Sequence, residues 1–222
     1  MVNRFLRSFV LSLFVACMAH GTMAAPYAAV VIDARTGKVL HARNADTRLH
    51  PASLTKMMTL YIAFEAVERG EISLDTKVKI SRHAASEPPS RLGLKAGQRI
   101  KLRYLIRAAA VKSGNDAATA IGEAISGSEK AFARRMTATA RAMGLNNTTF
   151  KNAHGLTQSG HLSTARDMAT LGRRLFHDHR DYYNIFGRIS TSTGNRTVAK
   201  QTGTVIDIRF FERFTKQLRP ES

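Results

Sequence analysis

Apolar positions fall in short clustered runs near the start of the chain and at helical spacing through its middle. Residues 28–32 are apolar, the polar stretch Asp33-Ala34-Arg35-Thr36-Gly37-Lys38 follows, and Val39-Leu40 resumes the run. With Gly37 in the turn, this pattern predicts an antiparallel hairpin. Beyond Pro51-Ala52-Ser53, the apolar residues Met57, Met58, Leu60, Tyr61, Ala63, Phe64 and Val67 predict a buried helix stopped by Gly70. Residues 81–98 contain Pro88, Pro89, Gly93 and Gly97, which predicts a loop. A helix is expected over 100–111, an interruption at Lys112-Ser113-Gly114-Asn115, and a second helix over 116–125. Gly127-Ser128 opens a third, with Phe132, Met136, Ala140 and Met143 on one face and Gly144 closing it. Residues 146–160 are polar and turn-rich, and Ser163-Thr164 starts a further helix over 166–176.

A strand is expected at 185–189. The closing stretch suits two states. Residues 205–208 fit a strand, while Ile206, Phe210, Phe211, Phe214 and Leu218 also share one helical face, with Arg209, Arg213, Lys216 and Arg219 opposite. Strands at both ends and helices between predict an α+β (mixed α/β) domain in which the N- and C-terminal strands share one sheet.

At 222 residues and 44% hydrophobic, the chain suits one globular domain with at most a small appendage. Its single cysteine, Cys17, sits in the N-terminal apolar run, so an internal disulfide or a cysteine-based zinc site in the body is excluded. That run follows Arg4 and Arg7 and leads to Thr22-Met23-Ala24, the layout of a secretory signal with cleavage after Ala24. A buried N-terminal helix is the structural alternative. A lipid anchor at Cys17 fits less well, because Phe14 stands where a smaller aliphatic residue is expected. The division expected is a signal segment at 1–24, a catalytic domain at 25–190 and an atypical tail at 191–222. An exported protein of the periplasm or cell envelope follows from it. The net charge of +18 favours anionic surroundings, such as membrane headgroups or acidic wall polymers. Basic residues are scattered and show no aromatic-interleaved motif, so nucleic acid is not an expected partner.

Two short elements carry candidate chemistry. Ser53 and Lys56 are three apart at a helix start, one turn apart on one face, with the serine at the positive helix end. A serine becomes a useful nucleophile when a base accepts its proton, and a lysine serves as that base once its charged form is disfavoured. Burial against Met57 and Tyr61, plus a second nearby cation, would do this. The same pair also suits an N-cap serine beside a surface lysine. Ser113-Gly114-Asn115 lies in a break between helices, where side chains point into clefts. The Ser113 hydroxyl suits a proton relay between Lys56 and a leaving amine, and the Asn115 amide suits orienting substrate and Lys56. A simple helix-terminus cap is the alternative there. The eight histidines form no sequence motif for a metal, and His177 and His179 suit a solvated helix end.

These elements sit in a longer likeness. Asp33-Ala34-Arg35-Thr36-Gly37-Lys38-Val39-Leu40, Pro51-Ala52-Ser53-Leu54-Thr55-Lys56-Met57-Met58-Thr59 and Lys112-Ser113-Gly114-Asn115-Asp116-Ala117-Ala118 resemble the low-molecular-weight penicillin-binding proteins, the serine D-alanyl-D-alanine carboxypeptidases. Met143-Gly144-Leu145, Thr149-Phe150, Asn152, Gly155-Leu156 and Ser163-Thr164-Ala165-Arg166-Asp167 follow the same pattern, so the likeness runs over about 27–189. The resemblance implies a β-lactamase/penicillin-binding-protein-like transpeptidase domain. It implies an enzyme that trims peptidoglycan stem peptides through an acyl-enzyme on Ser53 and is acylated by β-lactam antibiotics. Lys56 would act as proton acceptor, Ser113 as relay and Asn115 as orienting group. Neither metal nor organic cofactor is implied.

From about Ser192 the likeness stops. The family carries a contiguous Lys-Thr-Gly; here Ser192-Thr193-Gly194 lacks the lysine, and Lys200-Gln201-Thr202-Gly203 has one residue too many. An extra residue in a strand reverses the face of everything after it. A C-terminus altered by truncation or a shifted reading frame is the expectation, with an inactive remnant as one alternative function. A class A-like β-lactamase is another, and would need a general-base glutamate beyond Asn115.

Overall fold

The computed structural model describes residues 27–194 and 196–200. The expected signal segment, the strand or helix over 205–218 and the residues 201–203 lie outside them. The N-terminal hairpin forms as anticipated, with β1 (Ala29–Ile32) antiparallel to β2 (Val39–Arg43). Asp33 shapes its turn, its carboxylate accepting from both the Thr36 N–H and hydroxyl. Register shifts by a bulge between Val31 and Ile32.

A helical middle follows. Helix α1 (Thr55–Glu68) is apolar on nearly every face, so it becomes the buried axis of the molecule. It packs against α4 (Asn115–Ser126), α5 (Glu129–Ala142) and α6 (Ala165–Asp178). Each outer helix starts where the sequence offers a cap or a break. Ser128 accepts from the Ala131 N–H at the head of α5, and Thr164 from the Asp167 N–H at the head of α6. Gly122 lets α4 approach α5 closely, since a Cβ there would lie 2.7 Å from the Phe132 ring. Phe64, fully buried on α1, stacks on Tyr182 with ring centroids 4.6 Å apart. Burying such a side chain contributes roughly 1.5–3 kcal/mol.

Several local expectations are corrected. The loop predicted over 81–98 contains a short helix, α2 (Arg82–Ser86), started by the Ser81 hydroxyl accepting from the Ala84 N–H. The helix predicted over 100–111 begins later. Arg99–Lys101 is strand β4, paired with β3 (Lys77–Lys79), because Ile100 and Val78 are the inward-facing partners of that ladder. Helix α3 (Leu102–Arg107) then runs into a π-helical segment, Ala108–Lys112. The strand expected at 185–189 does not start there: Asn184–Gly187 is a 3₁₀ turn after α7 (Arg180–Tyr183), burying Ile185 and Phe186. The strands come later, as β5 (Ser190–Ser192) and β6 (Thr197–Ala199). His179 is no solvated residue: it is buried, its Nδ1 lies 2.9 Å from Glu68 and its ring meets Tyr61 edge-on.

The mixed class holds, but the single shared sheet does not form among the described residues. They contain three separate two-stranded sheets, β1–β2, β3–β4 and β5–β6. The N-terminal hairpin leans instead on α6, where Arg173 donates to the Ala34 carbonyl at 2.9 Å.

Candidate active site

Ser53 lies in a 3₁₀ turn, Ala52–Leu54, that leads directly into α1. Ala52, just before it, is held at φ +46, a conformation L-residues adopt at a cost. One turn on, Lys56 is 3% exposed. Its Nζ donates to Asn115 Oδ1 at 2.8 Å and to the backbone carbonyl of His154 at 2.7 Å. Asn115 is oriented by its own Nδ2, which donates to the Pro88 carbonyl at 3.0 Å. Burial lowers the Lys56 pKa to about 8, while the charges of Glu87 and Asp116 oppose the shift. The nearby cation anticipated from the sequence is therefore not the cause. Desolvation depresses the lysine, and the carboxylates of Glu87 and Asp116 restrain the shift.

Ser113 terminates the π-helical segment in the left-handed conformation, φ 58 and ψ 35. It is 2% exposed, and its Oγ has no hydrogen-bond partner among the described residues. An orphaned buried hydroxyl costs on the order of 1–3 kcal/mol, so such atoms concentrate where chemistry is done. Ser53, Lys56 and Ser113 all line one cavity of about 20 Å³, with Met57, Leu60, Ala109, Ala110 and Phe186 as apolar walls. That volume holds about one water. Lys200 reaches the same cavity from the end of β6, its backbone N–H donating to the Ile189 carbonyl at 2.7 Å. Ser192-Thr193-Gly194 lies elsewhere, with Thr193 and Gly194 beside Tyr104 in a separate basic groove.

Sequence reasoning gave no role to the residues that brace this arrangement, though Thr55, Asp116 and Gly155 stand in the family-like stretches. Asp116 is fully buried and its carboxylate accepts from the backbone N–H groups of Leu92, Gly93, Leu94 and Ala117 at 2.8–3.0 Å. An acid in the first turn of a helix was the available signal. The loop bearing the His154 carbonyl is pinned by Gly155, where a Cβ would sit 1.8 Å from the Ala52 oxygen. Thr55 fixes the other side through its hydroxyl, 2.8 Å from His161 Nε2. His161 Nδ1 accepts the Lys151 N–H at 3.1 Å, so the neutral ring carries its proton on Nε2 and donates it to Thr55. Burial, aided by His154 and His50, lowers the His161 pKa to about 4.

A hydroxyl at a helix start, a desolvated lysine one turn on and a second hydroxyl on the same cavity are an arrangement suited to serine acyl transfer with lysine as base. The family model described as D-alanyl-D-alanine carboxypeptidase matches residues 16–209, and the chain belongs to that family. It is 45% identical over 147 residues to the D-alanyl-D-alanine carboxypeptidase DacF of Bacillus subtilis, covering 66% of this chain and 38% of that protein. Identity to DacC of Escherichia coli is 40% over 162 residues, covering 70% and 40% respectively. Among solved structures, penicillin binding protein 5 from Haemophilus influenzae superposes with a TM-score of 0.75 at 32% identity, over 80% of this chain and 54% of that one. The fold is thus the penicillin-binding-protein type. The chain spans about two fifths of the length of the curated relatives it matches.

Proposed function

We infer that this chain is an exported serine D-alanyl-D-alanine carboxypeptidase acting on peptidoglycan stem peptides in the periplasm or cell envelope, and that β-lactams acylate it. Ser53 attacks the carbonyl between the two D-alanines, and its proton passes to Lys56. Ser113, on the same cavity, relays a proton to the departing D-alanine amine. The Ser53 N–H, at the start of α1, contributes to stabilising the oxyanion. Water then cleaves the acyl-enzyme, with Lys56 again as base. Asn115 orients Lys56. The observation that carries this reading is the desolvated Lys56, fixed by Asn115 and the His154 carbonyl, sharing a cavity with Ser53 and the unpartnered Ser113 hydroxyl. The scattered positive charge supports peripheral contact with an anionic membrane.

Labelling with a fluorescent penicillin, followed by peptide mapping, tests the assignment. The adduct is expected on the Ser53 peptide and absent from Ser53→Ala, alongside D-alanine release from a stem pentapeptide. An adduct on another residue, or labelling retained in Ser53→Ala, overturns it.

A further inference from the structure

Beyond the Ser53 cavity, the fold assembles a group of polar side chains to which this chemistry gives no role as nucleophile, base or relay, though the charge of Glu87 is felt at Lys56. His83 on α2, Glu87 just beyond the helix and Glu129 at the head of α5 each offer a ligand atom, all within 4.8 Å of one another. His83 and Glu87 are four apart and so share a face of α2. His83 Nε2 lies 2.7 Å from Glu129 Oε2 and 3.7 Å from Glu87 Oε1. A tetrahedral zinc with bonds of about 2.0–2.1 Å sets its ligands roughly 3.3–3.4 Å apart, a spacing this trio straddles. The His83 side chain is 56% exposed, free to adjust and to leave the outer face open to water.

We propose that His83, Glu87 and Glu129 form a three-ligand site for zinc or a similar divalent cation, with water completing the coordination.

Three observations carry this beyond proximity. First, donors already hold both carboxylates: on Glu129 through Oε1, the oxygen not paired with His83, and on Glu87 through Oε1, the oxygen that also faces His83. The Thr119 hydroxyl lies 2.9 Å from Glu87 Oε1 and 3.2 Å from Glu129 Oε1, and the Ala153 N–H donates to Glu129 Oε1 at 3.1 Å. Second, His154 Nδ1 accepts the Leu156 N–H at 3.1 Å, so the neutral ring's proton sits on Nε2. That Nε2 lies 3.4 Å from an oxygen of each glutamate, which makes His154 a supporting donor and not a fourth ligand. Third, the two glutamates lack the usual counter-ion. Asp46, Glu71, Asp75 and Asp178 each pair with arginine or lysine, whereas Glu87 and Glu129 meet only histidines among the described residues. Two neighbouring carboxylates, one of them 5% exposed, in a chain with 34 lysines and arginines, are suited to a compact dication. A bound ion would tie α2 and α5 together beside the 152–156 loop, whose Ala153 N–H holds Glu129 and whose His154 carbonyl holds Lys56.

The test uses the full chain without a histidine tag, in chelator-treated buffer, titrated with zinc chloride by calorimetry and with cobalt(II) chloride by visible absorption. One equivalent of each metal is expected to bind at micromolar concentration, with cobalt showing the bands of a low-symmetry site of low coordination number. His83→Ala, a change at an exposed position, is expected to weaken binding by more than about 100-fold, and Thr119→Val by roughly 10-fold. Ser53→Ala is expected to bind as the parent does, so failure of the acyl-enzyme reading would leave this result standing. Absence of saturable binding below millimolar metal, or unchanged binding in His83→Ala, overturns the site and leaves the cluster a plain histidine–glutamate ion network.

Discussion

Lys56 Nζ donates to the backbone carbonyl of His154 at 2.7 Å, across 98 residues of sequence. This contact ties the base of the proposed reaction to a loop rather than to another helix, and the loop is held in turn by the absence of a side chain at Gly155. With φ +95 and an ideal Cβ position 1.8 Å from the Ala52 oxygen, Gly155 lies directly against the turn that presents Ser53.

Gly155→Ala is therefore expected to push the 152–156 loop away from the Ser53 turn and to move the carbonyl from Lys56. Steric overlap with backbone and a left-handed alanine together should cost about 3 kcal/mol of stability. Thermal melts and penicillin labelling of the variant check this. A variant that melts with the parent and labels at the same rate would show that the loop does not position Lys56.

The acylation rate should follow the neutral fraction of Lys56. With its pKa near 8, the rate is expected to rise from pH 6 and level off above about pH 9. Glu87 raises this pKa by its charge, so Glu87→Gln should lower it and move the profile toward acid, making the variant faster than the parent at pH 6.5 in metal-free buffer. Lys56→Arg should abolish labelling while preserving the fold, because arginine keeps its proton. A profile that is flat across this range, or a Glu87→Gln profile displaced toward alkali, would contradict lysine acting as the base.

His161 gives the fold an acid-sensitive point. Its folded pKa near 4 lies below the ordinary histidine value of 6.5, so the unfolded chain takes up a proton first as pH falls. The stability it contributes is fully present above pH 6.5 and is lost progressively down to about pH 4. Protonating Nδ1 also breaks its bond from the Lys151 N–H. His161→Gln, which keeps a donor for Thr55, should be less stable than the parent at pH 7. Its melting temperature should fall less steeply between pH 6.5 and 4, and an equal slope would remove His161 from the account.

Much of this architecture was legible in the sequence where the physics is local. The apolar run from Met57 to Val67 and the caps at Ser128 and Thr164 specify α1, α5 and α6 through periodicity and orphan N–H groups, and these helices appear where expected. Ser53, Lys56, Ser113 and Asn115 could be picked out as candidates by side-chain identity, and the fold places the first three on one cavity with Asn115 bonded to Lys56. What stayed hidden depends on tertiary contact. The acceptor from His154 is a backbone carbonyl, and a carbonyl has no residue identity to notice. Arg99–Lys101 became a strand because β3 was there to pair with it, overriding its helical setting. His179 lies in a charged stretch, yet packing against Tyr61 and Phe64 buries it. Lys200 was noticed in the sequence as the head of an imperfect Lys-Gln-Thr-Gly, but its place on the Ser53 cavity comes from the β5–β6 hairpin and not from spacing along the chain.

Ser113 is where function and stability should separate most cleanly. Its hydroxyl is buried and unpartnered, so it weakens the folded state, and its left-handed backbone adds a further cost. Ser113→Ala removes the orphaned oxygen while leaving the strain. It should match or exceed the parent in stability, by up to about 1 kcal/mol. Ser113→Gly relieves the strain as well, and any gain is offset in part by the freedom it adds to the unfolded chain. If Ser113 relays a proton to the leaving amine, both variants should release D-alanine on the order of 100-fold more slowly. Penicillin should reveal the same loss, since opening its ring also needs a proton delivered to nitrogen. The decisive comparison is the melting temperature of Ser113→Ala beside its single-turnover acylation rate. A variant that is destabilised and equally fast would mean the hydroxyl has a structural partner and no part in the proton path.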